Sequence, residues 1–119
     1  KEGELQALKI GKFFKENDIK FTKVLSSEWC RCKDTAKIAF GNYETKNFLN
    51  SFYDERFSEN KDKQILDFQK FIKNWNYSGN LALVTHYVVI SEILDLATSS
   101  GEIVITDNNL KFLGSLEIN

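Results

Sequence analysis

The sequence predicts an α/β protein, a three-layer α/β/α arrangement with helices on both faces of a mixed, mostly parallel sheet. Three observations carry that prediction. Segments with helical spacing of apolar residues alternate with short strand-like segments along the chain. The run LALVTH at 81–86 is continuously apolar and bounded by a turn, the pattern of a strand covered on both faces. Two last strand-like segments flank Asp107-Asn108-Asn109, a hairpin turn. The chain also opens on a helix with no strand before it, which is odd for a three-layer sheet and points to a leading strand that is absent.

The elements follow in order. Segment 3–17 reads as a helix, because Ala7, Ile10, Gly11 and Phe14 recur at helical spacing with Lys and Glu between them. Asn17-Asp18 ends it. Segment 20–25 reads as a strand running into Ser26-Ser27. A second helix is expected over 28–40, with Ser27 as N-cap and Gly41-Asn42 as its stop. Segment 43–60 holds Phe48, Leu49, Phe52, Tyr53 and Phe57, too many apolar groups for a solvated linker. It reads as a packed excursion, part loop and part short strand or helix. Segment 62–76 is a third helix with Ile65, Phe68, Ile72 and Trp75 as its buried stripe. Residues 78–80 form a turn, and the apolar strand 81–86 is expected at the centre of the sheet. A fourth helix covers 88–97. Strands at 102–106 and 110–118 close the chain.

Composition narrows the function classes. The 119 residues are 42% hydrophobic and 28% charged, with a net charge of -1. That is an ordinary globular balance for one domain, and it gives no support to a nucleic-acid partner. No run approaches the ~20 apolar residues of a membrane span. No Met occurs, so Lys1 reads as other than a translation start. Residues 1–20 lack a signal-peptide layout, and compartment is not legible from them. Cys30 and Cys32 are too close for an unstrained disulfide, and with one His they fall short of a zinc ligand set. They read as two reduced thiols near a helix start. Of sixteen basic residues only Arg31 and Arg56 are Arg, the positions best suited to a planar fork.

Ligands in open α/β sheets bind beyond the carboxyl ends of strands, near helix N-termini. The strand at 20–25 delivers Ser26 and Ser27 there, with Arg31 just inside the next helix. The strand at 81–86 delivers His86, the single histidine. If the two strands are parallel, Ser27, Arg31 and His86 open into one crevice suited to a phosphate group. By position alone, a lone His after a strand is more often a packed or surface residue, and a lone Arg in a first helical turn is usually a surface cation. No strand ends in an Asp placed as a phosphoacceptor, which sets aside a response-regulator-like domain.

The string VLSSEWCRCKDTAKIAFG (24–41) resembles the SSPxxRxxxTA motif of the histidine phosphatase superfamily, with Ser27, Arg31, Thr35 and Ala36 at the motif spacing. LALVTHYVVI (81–90) resembles that family's second signature, apolar residues followed by V-x-H. The opening EGELQALKIGKFFKENDIKFTKVLSS is similar to its EGxxQAxxLGxxF helix and the strand after it. FLNSFY (48–53), SGEIVI (100–105) and the end at Gly114-Ser115-Leu116-Glu117-Ile118 resemble one small bacterial branch.

The resemblance implies a phosphohydrolase acting on a phosphomonoester or phosphoprotein through a phosphohistidine, with no cofactor and no metal. Arg31 and His86 would hold the phosphoryl oxygens with Ser27 beside them, and Glu55, or Asp54 as second choice, would protonate the leaving group. Tyr87 stands where many members have a small residue. The family's nucleophile lies in an Arg-His-Gly or Arg-His-Ala motif at the end of a first strand, and this sequence has no such motif. The resemblance therefore implies a parent whose first strand precedes Lys1, and a chain inactive as it stands. It also implies a second copy of the chain as a partner that could complete the sheet. A non-catalytic phosphate-binding or partner-binding module and a phosphomutase are the alternatives.

Overall fold

A computed structural model describes residues 2–52, 59–75, 79–99 and 101–118. The order of elements is α1 (Glu2–Glu16), β1 (Phe21–Ser26), α2 (Cys30–Phe40), β2 (Glu44–Thr45), a 3₁₀ turn (Asn47–Leu49), α3 (Lys61–Lys73), β3 (Asn80–Val84), α4 (Tyr87–Leu94), β4 (Ile103–Thr106) and β5 (Phe112–Leu116). The α/β class holds. The three strands β2-β1-β3 form a wholly parallel sheet, and β4 and β5 pair antiparallel as a second sheet of their own.

Two cores flank the parallel sheet. On one face, Leu25 packs with Phe48, Leu49, Phe52, Phe68, Ile72 and Val89, backed by Leu81 and Leu83. This unites β1, β3, the 47–52 excursion, α3 and α4. On the other face α2 lies against β1 and β3, and α1 lies on α2. The approach of α1 to α2 needs Gly11, because a Cβ there would sit 2.6 Å from the Ala39 carbonyl oxygen. Ala7 and Ala36, 1% and 0% exposed, are small for the same reason.

A bulge adjusts β1 between these cores. Phe21 opposes Asn80 and Lys23 opposes Leu81, so β1 carries one extra residue there. The insertion turns Phe21 away from the Leu25 face. Its ring instead meets Phe14 of α1 and Phe40 of α2 at 4.9 and 5.0 Å. The helix then stops at Gly41, whose φ of 90° is open to glycine at little cost.

The structure corrects two expectations. The apolar run at 81–86 predicts a central strand, but β1 is central and β3 is the edge among the described strands. An unbroken apolar run reports that both faces are covered, which is true of β3, and carries no information on how many strands lie beside it. Ser27 does not cap the second helix, which starts at Cys30 with Trp29 as N-cap. The Ser27 hydroxyl instead accepts the Trp29 N–H at 3.1 Å, closing a turn before the helix begins.

Candidate functional site

The site is built where β1 and β3 end. The two strands run parallel in register, Ser26 opposite Val84, so both deliver their next residues to one end of the sheet. The Ser27 N–H continues the ladder by donating to the Val84 carbonyl at 2.9 Å. Two helices start just beyond, α2 after Trp29 and α4 after His86. Both helix starts face this end of the sheet, and both dipoles favour an anion there.

Ser27 is fully buried, and its hydroxyl is the hub. It donates to Asn50 Oδ1 at 3.0 Å and accepts from Trp29 N–H. His86 Nε2 lies 2.9 Å from the same oxygen. The indole of Trp29 meets the imidazole edge to face at 4.9 Å. Cys32 Sγ stands 3.6 Å from His86 Nε2. Burial pushes the Cys32 thiol up, countered in part by a Ser27 hydrogen bond and the Arg31 charge. Burial, and then the positive charge of Arg31, hold His86 below its ordinary value. Arg31, exposed at the second position of α2, thus acts on the same imidazole that Ser27 touches.

The excursion 47–52 forms the adjoining wall. Thr85 donates to the Leu49 carbonyl at 2.6 Å, and buried Gln64 of α3 donates to the Asn50 carbonyl at 2.8 Å. Asn50 also accepts from Glu28 N–H and donates to Glu28 Oε1, both at 2.8 Å. Tyr87, exposed, opens α4.

The structure therefore brings together Ser27 and His86, with Arg31 in electrostatic reach. Glu55, with Asp54 and Arg56, lies outside the described residues. Three participants escaped the sequence reading. Cys32 is buried against the histidine and not a surface thiol, while Cys30 is exposed. Trp29 shields the imidazole. Asn50 joins Ser27 across 23 positions of sequence, and the one hint was a polar residue inside the apolar string FLNSF.

No family model matches the chain, and no curated protein matches it. Among solved structures, it is similar to the crystal structure of TTHB049 from Thermus thermophilus. The TM-score is 0.70 at 17% identity, over 98% of this chain and 83% of that one. At that identity the likeness establishes a shared fold.

Proposed function

We propose that Ser27, Arg31 and His86 form the phosphate-holding part of a histidine-phosphatase-type site. One observation carries the reading. His86 and Ser27 meet at 2.9 Å where two parallel strands end and two helices begin, and Arg31 acts on the same ring. Two cation-capable groups placed near two helix starts repel one another and oppose both dipoles. A bound anion between them reverses every one of those terms. A phosphoryl group is such an anion, and an Arg fork, a hydroxyl and helix-start amides match its oxygens.

The chemistry that follows is positioning and charge stabilisation, the main demand of phosphoryl transfer. Arg31 would hold two phosphoryl oxygens and His86 a third. In phosphomonoester hydrolysis through a phosphohistidine, the attacking imidazole belongs to a second histidine, which these 119 residues do not supply. Glu55 is the proposed proton donor to the leaving group. The absence of a second histidine favours one further reading, a phosphate-binding module that does no chemistry by itself.

Phosphate binding measured by calorimetry tests the proposal. Arg31→Ala is expected to weaken it about 10- to 100-fold, and Arg31→Lys to recover little, because an ammonium cannot reproduce the fork. In a protein that also carries the nucleophile, Arg31→Ala should lower turnover about 10²–10⁴-fold. Equal affinity in wild type and Arg31→Ala would remove the basis for the reading. Robust aryl-phosphate turnover by this chain alone would refute the need for a second histidine.

A further inference from the structure

We propose that Asn50 is a positioning residue. It acts through the Ser27 hydroxyl to fix a proton on Nε2 of His86, which pins the neutral ring to Ser27 beside Arg31. That an anion binds beside this ring rests on the phosphate reading above. The proton assignment rests on the hydrogen bonds alone.

The Glu28 N–H is an unambiguous donor. It lies 2.8 Å from one atom of the Asn50 amide, so that atom is the oxygen. The other amide atom meets Glu28 Oε1 at 2.8 Å and is therefore the nitrogen. The two contacts agree on one orientation. Ser27 Oγ lies 3.0 Å from the amide oxygen, which cannot donate, so the Ser27 proton goes to Asn50. A hydroxyl has one proton and two lone pairs. Trp29 N–H occupies one lone pair at 3.1 Å. His86 Nε2, at 2.9 Å, faces the other, and a lone pair accepts only a proton. Nε2 is therefore the N–H nitrogen. In the neutral ring Nδ1 carries none. With the proton on Nε2, Cys32 Sγ at 3.6 Å is a weak acceptor beside the same N–H.

The tautomer matters because His86 is held below its ordinary value and is neutral near neutral pH. A neutral ring has one N–H, and it reaches the Ser27 oxygen only when the proton is on Nε2. Without Asn50, the Ser27 hydroxyl is free to donate to Nε2, and the ring proton can move to Nδ1. Below the ring's own pKa both nitrogens are protonated, and Asn50 no longer decides anything. Among the described residues, the charged and titratable groups around the ring are Arg31 and Cys32 from α2, Glu28 through Asn50, and Tyr87 next in α4. Their ionisation is the background to any pH series.

The experiment uses the full chain with labelled imidazole nitrogens, whose proton–nitrogen correlations report the tautomer of the single histidine. Wild type is expected as Nε2–H. Asn50→Ala is expected to shift toward Nδ1–H, and Asn50→Asp, which keeps an acceptor oxygen, to return Nε2–H. An Nδ1–H tautomer in wild type overturns the proposal, as does an Asn50→Ala ring that stays Nε2–H. If Asn50→Ala does not fold, the wild-type tautomer and its persistence in Asn50→Asp still decide. Sulfate and phosphate that bind nowhere on wild type would sink the phosphate reading alone, leaving the tautomer to judge Asn50.

Discussion

The carboxyl ends of β1 and β3 and the hairpin β4–β5 invert the usual rule in opposite directions. At the strand ends, polar groups are inside: Ser26 and Ser27 are 0% exposed. On the hairpin, apolar groups are outside: Ile105, Phe112 and Leu113 are 43%, 46% and 61% exposed. Buried hydroxyls are costly unless partnered. Here they are partnered, and no buried side-chain nitrogen or oxygen among the described residues lacks a hydrogen bond. The hairpin needs no such accounting. Its register is set by the Asp107 carboxylate, which accepts from Asn109 and Lys111 N–H, and by its own ladder. The partnered hydroxyls of Ser26 and Ser27 make this end of the sheet a fixed polar cluster.

The comparison can be broken by mutation. Leu25 is fully buried directly beneath the site, in the core shared by α3 and α4. Leu25→Ala is expected to destabilise by about 3–5 kcal/mol in denaturant unfolding. Gly11→Ala, which drives a Cβ into the Ala39 carbonyl, should cost about 1–3 kcal/mol by the same measurement. Leu113→Ser on the hairpin should change stability by less than about 0.5 kcal/mol. If Leu113→Ser rivalled Leu25→Ala, the hairpin would be a packed element and the contrast would be lost.

A pH series sharpens the same contrast. His86 is held below its ordinary value in the folded chain, so the unfolded chain binds a proton first as pH falls. Stability should therefore drop as pH falls through about 6.5, levelling off below the folded pKa. His86→Asn should flatten that part of the unfolding curve. Cys32 works in the opposite range. Its raised thiol pKa means that stability is lost as pH rises through the ordinary thiol value, and Cys32→Ser should remove that loss.

Much of this was legible in the sequence, for reasons that can be named. The alternation of apolar periods located every described helix and the longer strands to within a few residues. The placement of Ser27 and His86 at one sheet end followed from strand direction, since parallel neighbours end on the same side. The edge position of β3 was not legible, because apolarity reports the faces of a strand and is silent on its flanks. The bulge at Phe21 was hidden too, as it depends on pairing with β3 and not on local pattern. Asn50 was invisible for a related reason. A single polar side chain reaching a residue 23 positions away leaves no periodic trace.

The central claim is that His86 and Arg31 share one anion, and the single histidine allows a direct test. An NMR titration of His86 is run with and without saturating phosphate. Without phosphate, burial and Arg31 should keep the ring's pKa below about 6.5. With phosphate, the bound negative charge should offset both, and the pKa should rise, most of that rise vanishing in Arg31→Ala. A titration curve that saturating phosphate leaves unchanged would contradict the account and return His86 to a packing role.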